Sequence, residues 1–316
     1  MTLAADRRPS LPGRRSERKA TRSRRAGGGW RPYAALAPLV VLLVVFLYGP
    51  VAAVCGLSFF EWNLVDAQPQ FVGLKNFDEF VHDPATVSLL AQTVGYVVAA
   101  LVGNFLLPVG LAMLTLRLRP RAATLYRTLL FAPAVVSTSI GAVLWQFVYL
   151  PRGGPLNQLL EHVHLPAQNW LNDPNLVLPS VATAAVWNTF GFSYIIALGG
   201  LSSIPKEQLE AAHVDGARGW ALLRYVVIPL LKPTLLFLGI TAVLQAMPNS
   251  FVALQVLTAG GPDGRSEHLL YDVYLKGFQF FQVGQASTVA IVLMILISGL
   301  AVWQFRLLDR RVDYDH

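Results

Sequence analysis

The 316-residue chain has a single cysteine, Cys55, so no disulfide can form within it. Charge is scarce as well: Asp, Glu, Lys and Arg make up 14% of the residues, against 54% apolar. Soluble domains carry about 25% charged residues, so the composition excludes an ordinary soluble protein. No Asp, Glu or His lies in six long apolar runs, 33–60, 88–116, 128–149, 179–202, 234–257 and 283–307. Runs of this length span a bilayer as helices. The expected fold is therefore an all-α integral membrane protein of six transmembrane helices. A G-x-x-x-x-G-K-[ST] phosphate loop is also missing. The six histidines are dispersed without metal-ligand spacing, and no Ser/His/Asp or Cys/His arrangement points to catalysis. Neither catalytic residues nor a metal site is expected. Ion-coupled carriers rely on ionisable groups inside the membrane, and their absence counts against such a carrier, while a self-contained facilitator or channel stays open as a rival.

What charge there is sits at the ends of the runs. The net charge of +7 comes largely from ten Lys and Arg at positions 7–31. With Pro9, Pro12 and Gly27-Gly28-Gly29 among them, residues 1–32 read as a disordered, Arg-rich cytoplasmic tail. Its reading is an anchor near anionic membrane lipid, with no nucleic-acid role. The apolar run after it is too long for a cleavable signal and is not closed by a small-residue site. Residues 33–308 form the membrane domain and 309–316 a short cytoplasmic tail. Six spans put both termini on one side. With that side inside, 21 of the 25 Lys and Arg are cytoplasmic, and only Lys75, Arg152, Arg265 and Lys276 are outside. The loop between runs four and five is then cytoplasmic.

That loop, 204–233, is the most informative stretch. It opens with Ile204-Pro205, and proline suits a first helical turn. Residues 206–214 are good helix formers, Gly216 can supply a bend, and 217–227 read as a second helix interrupted by Pro229 and Pro233. Glu210-Ala211-Ala212, then Asp215-Gly216-Ala217, then Val226-Val227-Ile228-Pro229 resemble the EAA loop of bacterial ABC importer permeases. The fuller pattern is similar to the carbohydrate-uptake branch, with its maltose-type and glycerol-phosphate-type members. Phe71 to Phe77 (F-V-G-L-K-N-F) and Leu257 to Pro262 (L-T-A-G-G-P) are also similar to this branch. So are Trp187 and Gly191, and the segment holding Tyr271, Tyr274, Phe278, Gly284, Ala286 and Ser287.

The resemblance implies a multi-pass permease subunit of the bacterial inner membrane. It implies a second, homologous permease as heterodimer partner, two ATPase subunits and an extracytoplasmic solute-binding protein. This chain would bind no cofactor; ATP and magnesium would belong to the ATPase. Glu210, Ala211, Ala212, Asp215, Gly216 and Ala217 would form the ATPase-coupling loop, with Gly216 as its pivot. The expected cargo is a sugar, with glycerol 3-phosphate or its diesters as the alternative. Sugar recognition calls for amides, hydroxyls and aromatic faces. Uncharged polar residues within the runs are therefore the substrate-path candidates: Asn188, Tyr194, Gln245, Asn249, Ser250 and Gln255, and more weakly Asn104, Trp145 and Gln146. Gln245 and Asn249 share a helix face. The same side chains could instead hydrogen-bond between helices and hold the bundle.

Overall fold

A computed structural model of the chain describes residues 31–63 and 68–309. The N-terminal tail through residue 30 and the C-terminal residues from 310 lie outside the described residues. The chain divides into two units, 1–50 and 51–316. In the first, the described residues are helical from Arg31, and the side chains from Ala34 to Pro50 are exposed.

Among the described residues five helices are long and apolar enough to cross a membrane: Ala34–Leu57, Pro84–Thr115, Val177–Ser202, Trp220–Leu257 and Val283–Leu307. A bent pair, Pro120–Val135 with Thr138–Val148, turns by 104° at its break and makes a sixth when the two helices are counted as one span. In chain order the bent pair is the third span. The observed architecture is thus helical and multi-span, as expected. Beside the helices lies one small strand pairing outside the spans, Phe60 with Phe71 and Glu61 with Gln70.

Prolines shape three of the spans in one way. A proline ring cannot donate the helical hydrogen bond and crowds the carbonyl four residues back. Here π turns at Val44–Tyr48, Val102–Leu106 and Leu223–Val227 each end two residues before a proline, Pro50, Pro108 and Pro229. Each widened turn shifts the bond register just ahead of the ring, so the helix continues. The fifth span consequently starts at Trp220 and runs through Pro229 and Pro233, where the sequence suggests an interruption.

The second unit is organised around the fourth span. The second, third and fifth spans all pack on it. Without a hydrophobic drive between helices in lipid, close approach depends on small residues, and Ala182, Ala184, Ala185 and Ala197 are buried along it. At Gly191 the approach leaves no room: a Cβ there would stand 2.8 Å from the Leu130 carbonyl oxygen. The Tyr194 hydroxyl donates to Thr115 Oγ1 at 2.9 Å, tying the fourth span to the end of the second.

The break in the third span is held from the same helix. Asn188 Nδ2 donates to the Val136 carbonyl at 2.7 Å and more distantly to that of Pro133, and Thr138 Oγ1 donates to Asn188 Oδ1 at 3.1 Å. Carbonyls freed by a bend inside a membrane need internal partners, and one amide supplies them. Ser137 caps the helix that resumes, its hydroxyl accepting from Ile140 N.

Candidate functional site

The loop between the fourth and fifth spans starts with a helix, Lys206–Val214. It ends in a hydrogen-bonded stop: Gly216 N donates to the His213 carbonyl at 3.1 Å and Ala217 N to that of Ala212 at 2.9 Å. This is a Schellman motif, which requires a left-handed residue just past the helix. Gly216 has φ +85°, and a Cβ there would meet nothing within 4 Å. The bend therefore excludes side chains by backbone conformation, not by crowding. A second bend at Gly219, φ +54°, leads into the fifth span; it was not singled out from the sequence. Glu210, Ala211 and Asp215 are exposed, and Ala212 and Ala217 are half-buried. Beside them Val214 is 88% exposed and Trp220 is 68% exposed. The loop thus presents small residues, two carboxylates and bare apolar surface together.

The second feature is a cavity of about 330 Å³ where the second, third, fourth and fifth spans meet. Its polar wall is made of Asn104, Asn188, Thr189, Ser193, Thr241, Gln245 and Asn249, and its apolar wall includes Phe131 and Phe192. Among the described residues no charged side chain lines it. A narrow crevice shares Asn104, Gln245 and Asn249 with it and reaches Ser250 and Tyr96. The structure thus brings together Asn188, Gln245 and Asn249 from the sequence candidates, and Asn104 joins them.

The remaining candidates are placed differently. Tyr194 is fully buried on the second span and does not line the cavity. The Ser250 hydroxyl donates to the Ala246 carbonyl at 2.6 Å, inside its own helix. Gln255 lies off the cavity, and its Oε1 is buried without a partner among the described residues. Trp145 packs at a tilt against Tyr149 and meets Trp187 edge-on, and Gln146 is exposed. Asn188 has two roles, since its amide faces the cavity while holding the bent third span.

Three lining hydroxyls, Thr189, Ser193 and Thr241, are absent from the sequence candidates. A signal for one was available: Thr241, Gln245 and Asn249 follow at intervals of four and so share a stripe of the fifth helix. Ser and Thr in a helix commonly bond back to their own turn, as Thr241 does to Phe237, which hides such residues from composition alone.

Residues 95–314 match the family model described as the binding-protein-dependent transport system inner membrane component. The chain belongs to this family. The permease is similar over nearly its whole length to named relatives. It is 34% identical over 286 residues to the sn-glycerol-3-phosphate transport system permease protein UgpA of Brucella abortus, covering 90% of this chain and 96% of the relative. It is 32% identical to the probable ABC transporter permease protein YurN of Bacillus subtilis, covering 87% and 94%. In fold it matches a chain of a bacterial ABC transporter involved in the import of the acidic polysaccharide alginate. That match has a TM-score of 0.75 at 22% identity and covers 90% of the permease and 96% of that chain. The permease is accordingly a multi-pass inner-membrane subunit of an ABC importer.

Proposed function

We propose that this permease carries a neutral, polyhydroxylated solute of the sugar class along the cavity between its second and fifth spans. The observation that carries this reading is the cavity wall: four amides and three hydroxyls beside two phenylalanines, with no charged side chain. Amides and hydroxyls match sugar hydroxyls, and ring faces match the C–H surface of a sugar. A phosphate dianion in a low-dielectric site would need a cation or a fan of donors directed at it. The second reading is glycerol 3-phosphate or a glycerophosphodiester, and the name of the Brucella abortus relative favours it.

In this proposal the loop at 206–219 faces the cytoplasm and docks on a separate ATPase that supplies the energy. A second permease completes the cavity, and an external solute-binding protein delivers the cargo. ATP and magnesium are held by the ATPase. Closure of two ATPases would draw the docked loops together and turn the spans about the cavity.

The test is uptake of labelled mono- and disaccharides, amino sugars, glycerol 3-phosphate and its diesters in a strain lacking this chain. Loss of one neutral sugar, restored by the wild type, is the expected result. Loss confined to the phosphates would replace the first reading by the second. Gly216→Leu should insert normally yet restore less than a tenth of the uptake. Its left-handed backbone costs a side chain about 1–2 kcal/mol, enough to redirect the docked turn. Full uptake by that variant would remove Gly216 from the coupling role.

A further inference from the structure

We infer that an anionic phospholipid occupies the cleft between the loop helix and the ends of the second and fourth spans. One acyl chain would lie in the cleft and the phosphate would sit against Arg117. The inference rests on the proposed cytoplasmic placement of this loop. The cleft has a volume of about 450 Å³. Met113 and Leu116 wall it from the second span, Leu201 and Ile204 from the end of the fourth, and Leu209 from the loop helix.

Two features decide what chemistry fits. The only charged residue lining the cleft is Arg117, which is exposed and has no ion-pair partner among the described residues. The turn it begins adds Arg119, the helix Pro120–Phe131 that follows adds Arg121 and Arg127, and residues 117–127 contain no carboxylate. Trp220 also lines the cleft while remaining 68% exposed, the posture of an indole at a membrane–water boundary. An occupant must therefore pair an apolar body with a negative head at the depth where the spans end. A phospholipid with an anionic head does both. The chain's own N-terminal tail does not: it would bring ten Lys and Arg against an arginine.

The cleft matters because Leu209 belongs to the helix that carries Glu210, Ala211 and Ala212. A chain lying against Leu209 on one side and Leu201 on the other would fasten the docking helix to the end of the fourth span.

Trp220 reports on the cleft directly. The transporter would be purified through a tag on this chain and placed in nanodiscs containing dibrominated phosphatidylglycerol or dibrominated phosphatidylcholine. Bromine quenches tryptophan on contact, and the difference between wild type and Trp220→Phe isolates the one indole. Phosphatidylglycerol should quench Trp220 at least twofold more strongly than phosphatidylcholine. Arg117→Gln should erase that preference, and Arg117→Lys should keep most of it. Equal quenching by the two lipids, or a preference that survives Arg117→Gln, would overturn the inference. So would an absence of quenching, which would mean that a protein partner covers the cleft. Whether an ATPase co-purifies is read from the same sample, so failure of the importer reading and failure of the lipid site are distinguishable.

Discussion

The loop before the fifth span closes its turn with backbone bonds from Gly216 and Ala217 and leaves Val214 and Trp220 bare. The loop after it is fastened by buried side chains from elsewhere. Tyr96 Oη donates to the Ser266 carbonyl at 2.8 Å, and Leu269 N donates to Thr93 Oγ1 at 3.0 Å. His268, fully buried, packs edge-on against Tyr96 and accepts from Tyr271 N. Both loops adjoin the fifth span, yet the second is fastened by buried side chains, with Phe278, Phe280 and Phe281 exposed only at its far end, whereas the first is closed by backbone bonds. Exposed apolar surface next to a rigid turn fits an interaction site, whereas hydrogen bonds between buried groups of distant segments mark a structural corner, with His268 Nε2 left without a partner among the described residues. In the proposed function the first loop docks outside this chain, whereas the second packs on the second, fifth and sixth spans.

The comparison is broken most severely by truncating a side chain in the second loop. Tyr271 is 1% exposed and packs against Phe251 and Tyr274. Tyr271→Ala should destabilise the permease by about 3–5 kcal/mol, the usual cost of removing a buried aromatic. The midpoint of thermal unfolding in detergent should fall sharply. An unchanged midpoint would show that this loop is no part of the cooperative fold.

A smaller effect comes from pH. Burial holds His268 neutral, with its pKa lowered from 6.5 to about 3. Below about pH 6.5 the unfolded loop takes a proton that the folded loop refuses. Stability is therefore fully present above that pH and is lost as pH falls toward about 3, by up to about 1.4 kcal/mol per unit. Unfolding midpoints at about pH 7.5 and about pH 5 should separate in the wild type and draw together in His268→Asn. An equal separation in both proteins would assign the pH effect to another group.

How much of this was legible in the sequence depended on whether the cause was local. The fourth span reads as 179–202 from its apolar run and is Val177–Ser202 in the structure, and the sixth starts at Val283 in both. The Gly216 bend was legible for the same reason, since a Schellman stop is written in consecutive residues. The third span was read as one segment, because hydropathy averages across the apolar Ala134-Val135-Val136 and says nothing of direction. Its 104° bend is stabilised by Asn188, about fifty residues away, and no local pattern announces that partner. The helix from Pro120 begins in the gap that hydropathy leaves between the apolar runs 88–116 and 128–149. Arg121 and Arg127 lower its apolarity, although Pro120 in the first turn is a sound helix-start signal. The candidate polar side chains divide along the same line. Gln245 and Asn249 share a face by spacing and do meet the cavity, whereas Tyr194 finds Thr115 and Gln255 lies elsewhere, through packing that spacing cannot foresee.

The finest test of the contrast is a change that the fold should ignore. Val214 is 88% exposed, so Val214→Ala should leave the unfolding midpoint within the equivalent of about 0.5 kcal/mol. If the loop seats its apolar surface in a groove of the ATPase, the same change removes two methyl groups from a buried contact. At about 0.8 kcal/mol for each, that weakens docking about tenfold. The readout is the amount of ATPase retained by tagged permease as the wash volume is increased. Retention equal to wild type would place Val214 outside the docked face and leave Ala211, Ala212 and the Gly216 turn as the contact. A lower unfolding midpoint would count against the contrast itself, because it would mean that this loop, like its counterpart, is held by the body of the protein.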